Sequence, residues 1–211
     1  MNAVKARLNR TWRAWHGALA RIIAPFPATT LLDPRHLYQR HLIRHLDALA
    51  PRLTGLVLDL GCGPQPYRRW LTRARRVIGV DLPTPKGGMG APKVDLYADA
   101  HALPFRPGSI DGVLALHLLE HVQDPQRVVD EAARALRVGG HLLVAVPQSY
   151  PIHAIPHDYW RFTDSGLSLL LVRAGCTVLE LRRAGGIGAL LGLTLGVYLW
   201  YHLCEAHPRY G

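Results

Sequence analysis

The sequence predicts an α/β fold: a doubly wound, mostly parallel sheet with helices on both faces. Two observations carry this. From Leu56 onward short apolar runs alternate with stretches of helical pattern, the signature of strands covered by helices. A length of 211 residues, 49% hydrophobic and 19% charged, is enough to bury one good core and not two.

The candidate strands are LVLDL (56–60), RVIGVD (76–81), VDLYAD (94–99), IDGVLAL (110–116), HLLVAVP (141–147) and CTVLELR (176–182). Between the fourth and fifth, Asp124 is a natural N-cap and Pro125 sits in the first turn. Val128, Val129, Ala132, Ala135 and Leu136 form the apolar stripe, and Gly139-Gly140 ends the helix. A second helix runs from about Asp164 to Ala174 and is stopped by Gly175; a third is LYQRHLIRHLDAL (37–49). Pro and Gly make 83–92 a loop. The domain so defined covers 51–183, with a basic helical extension over 1–50 and an apolar helix and tail over 184–211.

The formal charge is +10 and uneven, since residues 1–52 carry nine Lys or Arg against Asp33 and Asp47. Such a segment suits anionic lipid or nucleic acid; with 22 of 25 basic residues arginine, it equally suits a codon bias. Residues 1–25 lack the uncharged core of a secretory signal. Their arginines and missing acids resemble an organellar presequence, and Val4, Leu8, Trp12, Trp15, Leu19 and Ile22 describe an amphipathic helix on the domain or a membrane surface. Cys62, Cys176 and Cys204 lie far apart, which suggests neither disulfides nor a thiolate zinc site and fits a reducing cytoplasm.

The most informative stretch is VLDLGCGPQP (57–66), where a buried strand runs into Gly61-Cys62-Gly63. Glycines there let the backbone turn tightly and approach a ligand at the carboxyl end of a central strand. The third glycine of a dinucleotide fingerprint is replaced by Pro66, which weakens a pyrophosphate reading. Asp81 and Asp99 stand at the ends of the next two strands. The first is placed to accept from ribose hydroxyls, the second from an adenine amine in a slot walled by Leu82, Ala100 and Leu103. Together they describe an adenosine site without a diphosphate.

On four motifs in register, D-x-G-C-G (59–63), D-A-x-x-L-P-F (99–105), L-E-H-V-x-D-P (119–125) and R-x-L-x-x-G-G (134–140), residues 50–182 resemble the class I S-adenosylmethionine-dependent methyltransferases, which have a Rossmann-like sheet. The resemblance implies S-adenosyl-L-methionine as cofactor. It places the methionine moiety on Asp59 and the Gly61, Cys62, Gly63 loop, ribose on Asp81 with Leu82 beside it, adenine at Asp99 and Ala100, and His117 next to the sulfonium. PHDYWRFT (156–163) looks like a segment that relatives place over the substrate pocket. A sulfonium is an activated donor, so alignment and water exclusion are the main tasks. A base helps when the acceptor is a hydroxyl or protonated amine, and His117, His157 and Asp158 are the candidates, with His121 and Tyr159 behind them. No N-P-P-Y or D-P-P-Y follows the fourth strand, which points away from a nucleic-acid acceptor and toward a small molecule, a sugar or a lipid-linked intermediate.

His117, Glu120 and His121 have the order of a zinc-protease helix. His117 is expected to end the fourth strand instead, with the helix starting near Asp124, so the i, i+4 geometry is lost and no metal is expected. His121 reads equally well as a packed histidine, and His41 and His45 as core-edge or surface residues.

Residues 187–204 form an uncharged run about 27 Å long as a helix, just short of a ~30 Å hydrocarbon core. Gly188, Gly192 and Gly196 make a ridge that suits close helix approach. The run reads as a buried helix, an element in peripheral contact with or entering the membrane with Arg182 and Arg183 on the cytoplasmic side, or a self-association helix. No candidate remains for the seventh strand that the family pattern requires. A second functional reading is therefore a cofactor-binding but catalytically impaired domain with a membrane or scaffolding role.

Overall fold

A computed structural model describes residues 36–83 and 94–204. The expected helix in 1–25 and almost all of the 83–92 loop lie outside the described residues. The chain divides into two compact units, His45–Arg182 and the pair of flanking segments Met1–Arg44 and Arg183–Gly211.

Among the described residues five strands form one parallel sheet: β1 (Gly55–Leu60), β2 (Ala74–Asp81), β3 (Leu96–Tyr97), β4 (Ile110–Leu116) and β5 (Leu136–Ala145). Their order is β3-β2-β1-β4-β5. The chain first winds outward from β1 through β2 to β3, then returns to the other side of β1 for β4. The switch point lies between β1 and β4, where open α/β sheets leave a ligand crevice at the strands' carboxyl ends.

Four consecutive residues of β1, Val57 to Leu60, are buried, as a strand covered on both faces requires. On one face Leu58, Leu60, Val80, Val113 and Ala115 pack with Leu103, Ala132 and Ala135. On the other, Gly112 leaves room for Leu53 and Val57, whose side chains would lie 3.2 and 3.3 Å from any Cβ added there. Leu53 follows helix α1 (His36–Leu49) through a short 3₁₀ turn.

Helix α2 (Pro125–Ala135) begins as the sequence requires: the Asp124 carboxylate accepts from Arg127 N–H at 3.1 Å and Pro125 occupies the first turn. It ends four residues before the predicted Gly-Gly stop. Leu136 is already extended and pairs with Ile110, so the sheet takes over there. Helix α3 (Asp164–Arg173) is capped by Thr163 Oγ1, which accepts from Gly166 N–H. Between β1 and β2 the chain makes only a 3₁₀ turn at Arg68–Trp70, consistent with Pro64 and Pro66 blocking a helix at that entry.

The sixth candidate strand, 176–182, is not a strand. Leu179 and Leu181 of this run are exposed rather than buried, and Glu180 pairs with Arg52 and Arg182. Among the described residues β5 is therefore an edge, and no antiparallel closing strand follows it. In the flanking unit, α4 (Ile187–Cys204) buries Leu193 and Val197 and exposes Ile187, Leu191 and Leu195. A Cβ at Gly188 would meet nothing within 4 Å. Among the described residues no helix is long and apolar enough to cross a membrane.

Candidate functional site

The chain leaves β1 through Gly61 at φ +65° and Gly63 at φ +48°, a region costly for any side chain. Gly61 and Cys62 N–H both donate to Val80 O, at 2.9 and 3.2 Å, which ties the loop to the tip of β2. A Cβ on Gly61 would come 2.9 Å from Leu118 Cδ1, at the end of β4 across the switch point, whereas at Gly63 it would meet nothing. The loop is thus closed toward the sheet and open at Gly63. Gly61→Ala is expected to cost at least about 1 kcal/mol of stability from backbone strain alone, read as a lower melting midpoint.

Asp81 joins this loop to β2. Its Oδ2 accepts from Gly63 N–H at 2.8 Å and its Oδ1 from Leu82 N–H at 2.7 Å. Leu82 is half exposed, and Leu103 is buried. Asp59, one residue before the end of β1, is buried, and this burial pushes its carboxyl up to about 7; nearby Asp81 adds to the rise while Arg68 opposes it. Burial, with Asp59 and Asp81 adding, likewise pushes the Cys62 thiol up to about 12. Cys62 is buried, with its thiol near Gly79 and donating to Gly63 O at 3.7 Å. Asp99 follows β3, and its Oδ1 accepts from His101 N–H at 2.9 Å and meets His101 Nδ1 at 2.7 Å, contacts that hold its pKa below the ordinary carboxylate value. Ala100 follows it at a partly buried position.

Two further elements hold this edge of the site. Asp95 Oδ2 accepts from Gly79 N–H at 2.8 Å and Gln65 Nε2 at 3.3 Å, fixing Gln65 two residues after the glycine loop. Glu131 and Arg134 on α2 clamp the 99–105 segment: Glu131 Oε2 accepts from Leu103 N–H at 2.8 Å, and Arg134 donates to Phe105 O at 2.8 Å and Leu103 O at 3.0 Å. Two of the sequence motifs are thus halves of one clamp. Arg134→Ala is expected to lose about 1–2 kcal/mol, modest because the side chain is 34% exposed, and to loosen 99–105 in hydrogen exchange.

His117 ends β4 as expected and sits at φ +54°, a conformation uncommon outside glycine and often found where function demands it. Its N–H donates to Ala145 O at 2.9 Å, and its Nδ1 lies 3.2 Å from Glu120 Oε1. Glu120 O in turn accepts from Tyr159 N–H at 2.8 Å, and Val122 O accepts from Trp160 Nε1 at 2.9 Å. Residues 157–162 therefore lie directly on the loop that follows β4. His157 is exposed, with Nδ1 at 3.1 Å from Tyr159 OH. Asp158, which the sequence offers as a base or as the ion-pair partner of Arg161, is held in that ion pair. Both its oxygens accept from Arg161, at 2.7 and 2.8 Å, and this pair, with the His153 N–H bond, holds its carboxyl far below the usual range. A carboxylate so held is a weak base and a strong brace.

The structure thus brings Asp59, the Gly61–Gly63 loop, Asp81, Asp99 and His117 to the carboxyl ends of four neighbouring parallel strands, about 15 Å across at the usual strand spacing. Fold and arrangement define an α/β domain of the nucleoside-binding kind. Residues 58–144 match the family model described as "Methyltransferase domain". A protein of Mycolicibacterium smegmatis named "Probable S-adenosylmethionine-dependent methyltransferase" is 34% identical over 196 residues, covering 86% of this chain and 70% of its own. The ubiquinone biosynthesis O-methyltransferase of Cupriavidus pinatubonensis is 29% identical over 165 residues, 65% of this chain and 66% of that one. A 37.1 kDa protein of a Streptomyces fradiae transposon is 39% identical over 134 residues, 55% of this chain and 39% of that one. Among solved structures, the [4+2]-cyclase SpnF is similar at TM-score 0.52 and 19% identity, over 79% of this chain and 69% of that one, a likeness of fold alone. The chain belongs to the S-adenosylmethionine-dependent methyltransferase family, and S-adenosylmethionine is the cofactor this membership implies. It spans less than two thirds of the length of the Streptomyces and Cupriavidus relatives.

Proposed function

We propose that the chain transfers a methyl group from S-adenosylmethionine to a small-molecule acceptor, of which a sugar or lipid-linked intermediate is one form. The observation that carries the cofactor half is Asp81, whose carboxylate bridges the glycine loop and the end of β2 beside the switch point. Asp59 and the loop would hold the methionine moiety, Asp81 the ribose, and Asp99 and Ala100 the adenine edge. The relative named a ubiquinone biosynthesis O-methyltransferase supports a small acceptor.

On the acceptor side His117 and His157 are the proposed proton acceptors: His117 ends β4 with its Nδ1 on Glu120 Oε1, and His157, in the segment packed on the loop after β4, has its Nδ1 on Tyr159 OH, whereas Asp158 is clamped by the Arg161 guanidinium. Methyl transfer from labelled cofactor to a panel of phenolic, sugar and lipid-linked acceptors, followed by mass spectrometry, tests the reading. Product with at least one class supports it, and none across the panel with cofactor bound opposes it. The second reading, a cofactor-binding scaffold without turnover, draws on β5 being an edge strand among the described residues.

A further inference from the structure

Where the loop after β4 meets the segment following β5, three ligand-bearing side chains converge. Glu120, His121 and His153 each offer one ligand atom, and these atoms lie within 4.8 Å of one another. Glu120 is 1% exposed, and its Oε2 is buried with no hydrogen-bond partner. Its Oε1 lies 3.2 Å from His117 Nδ1 and 3.9 Å from His121 Nε2. A carboxylate oxygen cut off from water and left unpaired is costly unless a cation meets it.

The two imidazoles are held in the tautomer that a metal needs. His121 Nδ1 lies 2.7 Å from His157 O. A carbonyl only accepts, so Nδ1 carries the hydrogen and Nε2 keeps its lone pair on the Glu120 side. His153 Nδ1 is 3.2 Å from Pro151 O and 3.3 Å from Asp158 Oδ2, both acceptors. Arg161 keeps Asp158 in place, so His153 also donates from Nδ1 and leaves Nε2 for a ligand. Carbonyl and carboxylate partners of this kind are what orient metal-ligating histidines.

We infer that Glu120, His121 and His153 form a binding site for a divalent transition metal of the zinc class, with one position open. Two imidazoles and a carboxylate are a common three-ligand set for such a site. This departs from the sequence expectation of no metal, which weighed His117 against His121 on a helix. The third ligand instead comes from the segment after β5, and the pairing is made by the fold. The site's consequence rests on the methyltransferase reading. An acceptor hydroxyl taking the open position would lose its proton to solvent more readily, its oxygen lone pair would form the bond to the methyl carbon, and the carbon–sulfur pair would return to sulfur as a thioether.

The test uses the full chain, stripped with a chelator and dialysed, then titrated with Zn2+ against a chromophoric competitor and with Co2+ by visible absorption. One equivalent of Zn2+ and a Co2+ spectrum of low-symmetry, nitrogen- and oxygen-ligated form are expected. His153→Ala and Glu120→Gln should each weaken Zn2+ binding by at least about tenfold. His153→Ala should keep its melting midpoint and its affinity for S-adenosylhomocysteine. No stoichiometric Zn2+, or Zn2+ binding unchanged in both variants, overturns the site. Zn2+ bound with S-adenosylhomocysteine refused leaves the metal site standing and removes the methyltransferase reading.

Discussion

Asp81→Ala is expected to weaken S-adenosylmethionine binding by at least about 2 kcal/mol, roughly thirtyfold, because buried hydroxyls lose a charged acceptor. The carboxylate already accepts from Gly63 and Leu82 N–H, at 2.8 and 2.7 Å. That uses about two of its four lone-pair positions and leaves the others for ribose hydroxyls. The loss is therefore double: the ribose acceptor goes, and the glycine loop loses its side-chain tie to β2 at Gly63, keeping only the backbone bonds of Gly61 and Cys62 to Val80 O. Asp81→Asn separates the two, since an amide oxygen can still accept from one N–H while its NH2 faces a hydroxyl without the charge. Its affinity should fall between those of the wild type and the alanine variant in calorimetry. An affinity unchanged in Asp81→Ala contradicts the assignment.

Asp59→Asn is expected to stabilise the ligand-free protein at pH 8 and to weaken cofactor binding there. Burial raises the folded carboxyl to about 7, against about 3.9 in an unfolded chain. A group with a raised folded pKa contributes stability that is fully present below the unfolded value and lost as pH rises through the folded one. Between about pH 4 and pH 7 the wild type therefore loses on the order of 4 kcal/mol through this residue, and Asn, which does not titrate, loses none. Melting midpoints at pH 5 and pH 8 should show the variant gaining on the wild type at the higher pH. In the proposed role, a cationic methionine moiety favours the ionised carboxyl. Wild-type affinity should then rise through pH 7 with proton release, visible in buffers of different ionisation enthalpy, and the variant should lack that release. A wild-type pH dependence of stability identical to that of the variant contradicts this account of Asp59.

The strand-end acids and glycines were legible in the sequence because each depends on local order: an apolar run, then the residue that must stand at its tip. Asp124 and Pro125 were legible for the same reason, since a cap is read from its neighbours. What local order cannot carry is a pairing made across the chain. Leu136 looked like helix stripe until Ile110 took it as a strand partner. The run 176–182 has strand-like apolar residues, yet among the described residues it has no strand partner, and Leu179 and Leu181 are exposed. Asp81 and Asp99 are singled out by their strand-end positions and Asp59 by the family resemblance. Asp95, Glu131 and Arg134 were missed, because their hydrogen bonds reach 16 to 31 residues away. Asp158 is open to two readings in the sequence, a base beside a histidine and a tyrosine or a structural ion pair with Arg161 three residues on, and the two bonds from Arg161 are those of the ion pair.

The central claim, an adenosyl ligand held without a diphosphate at the ends of β1, β2 and β3, is tested most directly by calorimetric titration of the wild-type chain with S-adenosylhomocysteine and, in parallel, with a nicotinamide dinucleotide. One saturable site for the first and none for the second is the predicted result. Heat from the dinucleotide, or no heat from S-adenosylhomocysteine, contradicts it.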